Sequence, residues 1–164
     1  MTLRVDAQRN LDRLLDVAGE CFAERGLDVS VDEIARRAGL GHGTVFRRFA
    51  TKDELVAAVF RKHLVQLTAE ALETARDDDA WRALEHFLRT AAERYSANRA
   101  MVDGFDKCAG AAELEALMAA VEKLVRRAQR EGTLRADVEA FDVMSLVPTA
   151  ARYPEVVLDG LRAR

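Results

Sequence analysis

The chain has 164 residues, 49% of them apolar, which is enough to bury the core of one large domain or two small ones. Glycine and proline are sparse and strand-like alternation is absent, so we expect an all-α protein. The net charge of −3 by itself argues against a nucleic-acid partner, but residues 34–52 contain no acidic residue and carry a basic cluster. Its members are Arg36, Arg37, Arg47, Arg48 and Lys52.

The sequence shows no pattern typical of a membrane protein, a secreted protein, a metal-binding protein or an enzyme. There is no apolar run of transmembrane length and no signal-peptide pattern, so we expect a soluble, cytoplasmic protein with no membrane partner. Cys21 and Cys108 lie far apart without a CxxC pattern, which favours a reducing compartment and predicts no metal site. The three histidines lie in different segments and no glycine loop could cradle a phosphate, so we expect no enzyme, no catalytic residue and no cofactor.

The first predicted element is an amphipathic helix from Arg9 to Arg25, ended by Gly26. Apolar residues recur along it at three- and four-residue spacing: Leu11, Leu14, Leu15, Ala18 and Phe22. Cys21 lies on the same apolar side, so we expect its thiol to be buried.

A pair of short helices follows. Ser30 and Glu33 form a capping box that starts a helix near Val31, and Gly39 can take the left-handed conformation that ends it. The next helix is predicted from about His42 to Phe49. Its outer face presents a mixed polar and basic set: His42, Thr44, Arg47 and Arg48.

A second capping box, Thr51 with Glu54, starts another helix at once. It brings the Lys52 ammonium to the positive end of a helix dipole, where a phosphate oxygen is favoured. The pattern then continues without a breaker to Arg76, and we expect His63 to be a packed core or boundary residue there rather than a ligand.

These elements together resemble the TetR family of bacterial transcriptional regulators. The matching positions are Leu14, Ala18, Phe22, Glu24-Arg25-Gly26, Val31, Ile34, Ala35, Ala38-Gly39-Leu40, Gly43-Thr44-Val45-Phe46, Phe49, Lys52 and Leu55. Two positions depart from the family pattern: Phe46 stands where Tyr is most frequent, and Gly41 where Ser or Thr is usual. Each departure removes a hydroxyl that could contact a phosphate.

The resemblance implies an N-terminal three-helix helix-turn-helix DNA-binding domain, residues 1–52, joined by a linker helix of about 52–76 to a C-terminal helical ligand-binding and dimerisation domain, residues 77–164. Its partner would be double-stranded operator DNA. Base edges would be read by His42, Thr44 and Arg47, with Arg47 able to bridge guanine O6 and N7. The phosphate backbone would be held by Ser30, Val31, Phe46, Arg48 and Lys52.

Four helical patterns make up the second domain. They start near Trp81, Ala111, Asp137 and Pro154. Asp137 is the predicted N-cap of the third helix, and Pro154 is the first residue of the fourth. We expect Pro148 to break the third. The last pair is then either shortened relative to the family or lacks a segment near residues 150–153.

By resemblance, the second domain encloses a cavity for a small, mostly apolar effector. The candidate lining is Trp81, Phe87, Leu88, Tyr95, Met101, Phe105, Cys108, Leu117, Met118 and Val121, with Tyr95, His86, Arg99 or Asp103 to orient the ligand. The alternative is that these residues fill an ordinary core.

Specific binding of DNA by such a unit needs two copies at a fixed separation, so we expect a homodimer. The candidate interface is Phe141, Met144, Val147, Val157, Leu158 and Leu161, although the same residues could be internal core. The resemblance thus implies a ligand-responsive repressor of a palindromic operator, and the sequence leaves activation open as the alternative sign. The competing interpretation is a helical protein-interaction module that has lost DNA binding.

Overall fold

The computed structural model describes residues 2–98 and 110–163, with side chains from residue 7 onward. Within these ranges the protein is all-α, as predicted, and contains no strand, only an isolated bridge between Leu134 and Arg162. No described helix is long and apolar enough to cross a membrane. The predicted cavity residues Met101, Phe105 and Cys108, with Arg99 and Asp103, lie outside the described residues.

The helices follow one another closely along the chain. They are α1 (Thr2–Arg25), a 3-10 turn (Gly26–Asp28), α2 (Val31–Arg37), α3 (His42–Phe46), α4 (Lys52–Thr74), α5 (Ala80–Ala97), α6 (Ala111–Arg130), α7 (Ala140–Ala150) and α8 (Pro154–Leu161). Two compact units divide them: an amino-terminal unit up to His63, and a carboxy-terminal unit formed by Leu64–Ala97 and the chain from Ala111 onward. The division falls within α4.

The amino-terminal unit is built on the apolar stripe of α1, which contacts α2 and the 3-10 turn, while α2 contacts α3. The side chains of Phe22, Ile34, Val45 and Leu55 are fully buried in its core, and so is the Cys21 thiol, as predicted. His63 is half-buried, and a Cβ on Gly19 would stand 3.3 Å from its Nε2, so Gly19 permits the close approach of α1 and α4.

In the carboxy-terminal unit α5 contacts α6 and α7, α6 contacts α7, and α7 contacts α8. The core is made by the apolar stripes of these helices, including Leu84, Phe87, Leu117, Val121 and Val143. Phe87, Leu117 and Val121 were singled out in the sequence, whereas Val143 was not, and Phe141, which the sequence placed on the apolar side of α7, is exposed.

The start of α7 differs from the prediction. Asp137 was the expected cap, but Arg135 donates to both of its carboxylate oxygens, at 2.9 and 2.6 Å, so the carboxylate is not available to α7. The helix begins instead after Glu139, whose backbone N–H donates to Asp142 at 2.8 Å. The prediction of Asp137 as the cap is therefore wrong.

The predicted break at Pro148 is also wrong, because α7 continues through it to Ala150. Pro148 is exposed, so the carbonyl that loses its helical partner can face water. The backbone then turns tightly, with the N–H groups of Arg152 and Tyr153 donating to the Thr149 carbonyl at 3.0 and 2.8 Å. This short hydrogen-bonded turn joins the two helices, and Pro154 opens α8 as predicted.

Candidate nucleic-acid interface

The turn between α2 and α3 fixes the direction of α3. Ser30 caps α2 by accepting from the Glu33 N–H at 3.2 Å, and Gly39 ends it at φ +69°. The Leu40 N–H then donates back to Ala35 at 2.9 Å. Gly41 precedes α3 in an extended conformation and provides no side-chain cap. The corner predicted from the two glycines is confirmed in its local geometry.

In each of the two capping boxes, one of the two predicted hydrogen bonds forms and the other does not. The Glu33 carboxylate, expected on the Ser30 N–H, contacts Arg25 instead. In the second box the Glu54 N–H donates to Thr51 Oγ1 at 3.2 Å, but its carboxylate accepts from the Ala50 N–H at 2.8 Å, one residue earlier than expected. Both helices are nonetheless capped at the predicted residue.

The outer face of α3 and the turn after it, residues 42–48, form a surface that we call the α3 face. Val45 points inward and is fully buried, while the neighbouring side chains are exposed: His42, Thr44, Phe46, Arg47 and Arg48. The helix is three residues shorter than predicted, ending at Phe46, with Arg47 as its cap. Of the remaining predicted DNA contacts, Ser30 is exposed, while Val31 and Lys52 are half-buried.

The arginines of the basic cluster separate into two parts, those near an acidic side chain and those without one. Arg36 and Arg37 make up the first part, and Arg36 Nη2 lies 4.0 Å from Glu33 Oε1. Arg37 donates to both oxygens of Glu24 at 2.5 and 2.8 Å and lies 3.5 Å from Glu20. This hydrogen bonding holds the pKa of Glu24 below its ordinary value. Arg37 therefore links α2 to α1 by an ion pair, and Glu24 neutralises its positive charge.

Arg47 and Arg48 are the other part. The Arg47 Nη2 lies 3.4 Å from Thr44 Oγ1, and within the described ranges no acidic side chain forms an ion pair with Arg47 or Arg48. Two adjacent guanidinium groups with unmatched charge on an exposed surface attract a polyanion, and guanidinium geometry suits phosphate oxygens and guanine edges.

Lys52 is more constrained than the sequence indicates. It is the first residue of α4, and its ammonium donates to the carbonyl of Leu27 in the 3-10 turn. An ammonium has three N–H donors, so two remain for a phosphate.

Asp32 was missed by sequence reasoning. It lies in the first turn of α2, where its carboxylate contacts Nδ1 of His42 on α3. The His42 ring also stacks on Phe46, with centroids 4.3 Å apart. No helical spacing relates Asp32 to His42, and the contact depends on the angle between two helices.

Most of the described cavity candidates are packed in the core. Trp81, Phe87, Leu88, Leu117 and Val121 are buried, whereas Tyr95 and Met118 are half-buried. Among the described residues, the indole N–H of Trp81 is the buried side-chain polar group without a hydrogen-bond partner, and the Arg162 guanidinium lies 4.5 Å above its ring. His86 is exposed and contacts Glu70 at 3.2 Å.

The candidate dimer residues separate by exposure. Four of them are buried within the carboxy-terminal unit: Val147, Val157, Leu158 and Leu161. These four therefore fit the alternative that they belong to the internal core, and they have little surface to offer a second copy. Met144 is half-buried. Phe141 is 70% exposed, and two further apolar side chains on this part of the chain are exposed as well, Val156 at 70% and Tyr153 at 55%.

Comparison with known proteins gives two matches to family models. Residues 14–59 match the model described as "Bacterial regulatory proteins, tetR family", and residues 79–163 match "Transcriptional regulator SbtR-like, C-terminal domain". The crystal structure of a TetR transcription regulatory protein from Mycobacterium vanbaalenii has a TM-score of 0.80 and 37% identity, covering 98% of this chain and 99% of the other.

Two further relatives are informative. The regulator SCO0520 from Streptomyces coelicolor has a TM-score of 0.71 and 26% identity over 93% of this chain and 98% of its own. The transcriptional repressor Rv3405c from Mycobacterium tuberculosis is 40% identical over 93 residues, which is 56% of this chain and 46% of that protein. The chain thus aligns with about half the length of this curated relative.

Proposed function

Because this chain belongs to the TetR family of bacterial transcriptional regulators, we propose that it is a repressor that binds a palindromic operator as a homodimer and is released by a small effector. Proteins of this family regulate transcription and are not enzymes. The observation that carries the proposal is the α3 face, where Arg47 and Arg48 stand exposed with unmatched charge.

The roles within the α3 face follow from side-chain chemistry. His42, Thr44 and Arg47 reach base edges in the major groove, and Arg47 makes paired hydrogen bonds to guanine. Arg48, Lys52, Ser30, Val31 and the ring of Phe46 hold the phosphate backbone, which positions the protein without reading sequence. Arg37 does not contact DNA in this proposal, because its guanidinium group is already hydrogen-bonded to Glu24.

The proposed dimer uses the exposed apolar residues of α7, α8 and the turn between them. Phe141, Tyr153 and Val156 expose large apolar side chains, and burying them against a second copy would remove this surface from water. Two-fold symmetry then presents two α3 faces to two half-sites of one duplex. We place the protein in the cytoplasm, where its DNA partner lies.

The effector would act by binding one arrangement of the dimer better than the other. Tyr95 and Met118, the half-buried members of the candidate set, are the accessible contacts in our proposal, while the buried aromatic residues supply an apolar wall. We assign repression, and not activation, by analogy with the relative Rv3405c, whose name describes a transcriptional repressor.

The test is selection of bound duplexes from a random DNA pool at low salt, repeated with small-molecule mixtures. We expect an enriched palindrome that is lost with an active mixture. Arg47→Ala should change the preference at one base pair by roughly 1–3 kcal/mol, whereas Arg48→Ala should weaken all duplexes about equally. Arg130→Ala, which removes an exposed arginine from α6, is the matched control.

The contradicting outcome is equally clear. If no sequence is enriched and low-salt binding is unaffected by Arg47→Ala and Arg48→Ala, the α3 face does not bind DNA. A protein-interaction module that has lost DNA binding would then be the better account of the chain.

A further inference from the structure

We infer that Asp32 is a positioning residue for DNA recognition: it sets the tautomer of His42, so that His42 offers Nε2 as a hydrogen-bond acceptor to a base edge. This inference rests on the proposed DNA binding and deepens it. Asp32 does not itself touch DNA in this account but acts through His42.

The His42 side chain is held at two points, by the Asp32 carboxylate at Nδ1 and by the Phe46 ring, whose plane is 29° from that of the imidazole. Both members of the polar pair remain open to solvent, with His42 62% and Asp32 69% exposed. The ring is thus oriented on the protein side, and its other nitrogen remains for a partner.

An ionised carboxylate can only accept, so the imidazole nitrogen facing Asp32 must carry the hydrogen. In the neutral ring the other nitrogen, Nε2, then has a lone pair and accepts. When the ring is neutral, Asp32 therefore decides whether His42 presents an acceptor or a donor at Nε2.

In the major groove the base-edge donors are the amino groups of adenine N6 and cytosine N4, whereas guanine and thymine present acceptors. With Asp32 in place, His42 favours adenine or cytosine at its contact position. Arg47 on the same face favours guanine, so the two side chains read opposite patterns.

Asp32 also carries a negative charge on a surface proposed to meet phosphates. Removing it should strengthen binding to DNA that lacks the selected sequence, since like charges repel. The same change should weaken discrimination at one position. Opposite effects on affinity and specificity distinguish a positioning role from a general loss of structure, which would weaken both.

The experiment measures competition between the selected duplex and its single-base variants for the wild type, Asp32→Ala, Asp32→Asn and His42→Ala. At the position that His42→Ala relaxes, we expect adenine or cytosine in the wild type and an approximately threefold to tenfold loss of preference in Asp32→Ala. Asp32→Asn should lose it too, because an amide can donate to Nδ1 and so permits the opposite tautomer. Asp53→Asn, an exposed acid in the first turn of α4, controls for lost charge and should leave base preference unchanged.

A double variant tests whether Asp32 acts through His42. Asp32→Ala should have no further effect on base preference in a His42→Ala background. Nitrogen-15 spectra provide an independent readout, since the chain has only 3 histidines and His42→Ala identifies the signal. We expect the Nδ1–H form of His42 in the wild type and a shift toward Nε2–H in Asp32→Asn.

Two failures are distinguishable. If the wild type selects a sequence but Asp32→Ala keeps its full preference at the His42 position, or relaxes it equally without His42, the inference is overturned while the proposed function stands. If the wild type selects no sequence, the proposed function fails and the inference fails with it.

Discussion

The left-handed conformation of Gly39 allows a quantitative test of the corner before α3. Gly39 has φ +69°, and a Cβ built on it would lie 3.6 Å from the nearest atom, Nη2 of Arg13, which is ordinary contact. Gly39→Ala would therefore be strained by its backbone rather than by crowding. Left-handed backbone costs an L residue about 1–2 kcal/mol, and the stiffer unfolded chain offsets about 0.4–1 kcal/mol of this.

Gly132, at the end of α6, is a natural control. Its φ is +68° and a Cβ there would meet nothing within 4 Å, so Gly132→Ala carries the same backbone cost in the other unit. We expect each variant to lose about 1 kcal/mol of unfolding free energy, or roughly 2–4 °C in Tm. Urea unfolding and thermal melting measure these losses.

DNA affinity then separates the two sites. Relief of strain at Gly39 must change the angle between two short helices and hence the direction of α3, whereas relief at Gly132 leaves α3 untouched. Fluorescence anisotropy should show binding weakened at least about fivefold, equivalent to ~1 kcal/mol, in Gly39→Ala only. Equal affinities for the two variants, or no loss of stability in Gly39→Ala, would refute the reasoning.

Three further predictions test other parts of the account. Phe46→Tyr adds a hydroxyl on an exposed ring and should tighten binding to all duplexes by about threefold in anisotropy measurements, since a phosphate contact is sequence-independent; an effect on one sequence alone would contradict this. Phe87→Ala should cost about 3–5 kcal/mol in urea unfolding if this buried ring fills the core, whereas a loss below about 1 kcal/mol would mean that it borders an open cavity. Glu24→Gln should lower the Tm near neutral pH. Arg37 holds the pKa of Glu24 below its ordinary 4.5, so the ion pair stabilises the fold above that pH. The difference in Tm between Glu24→Gln and wild type should therefore vanish as the pH falls through the folded-state pKa of Glu24. A difference in Tm that stays constant with pH would exclude the mechanism.

Local patterns predicted the helices and the corner well. The stripe of α1, the Ser30 cap, the left-handed Gly39 and the Pro154 start of α8 each depend on residues within one turn of one another. Short-range chemistry of this kind can be read directly from spacing.

The errors arose where a more distant or competing group decided the outcome. Asp137 was captured by Arg135, two residues away, and could not cap α7. The ion pair of Arg37 with Glu24, which lies 13 positions earlier on α1, was also not foreseen when Arg37 was counted in the basic cluster. Helical spacing cannot reveal pairings of the second kind, because they depend on how two helices pack.

Exposure was the other quantity that the sequence left open. An apolar stripe predicts that a helix buries a face, but not against what. In α7 and α8 the stripe residues Val147, Val157 and Leu158 pack inside the carboxy-terminal unit, while Phe141 and Val156 are left at the surface. The domain bounds and the assignment of contacts to DNA, effector and partner remain predictions.

Hydrogen exchange with and without a selected operator duplex tests the central claim most directly, because it locates the binding surface without altering any residue. The account predicts DNA-dependent protection in peptides that cover residues 41–52, with little change in those covering α6. Protection absent from residues 41–52 but present elsewhere would contradict the assignment of the α3 face as the DNA-binding surface.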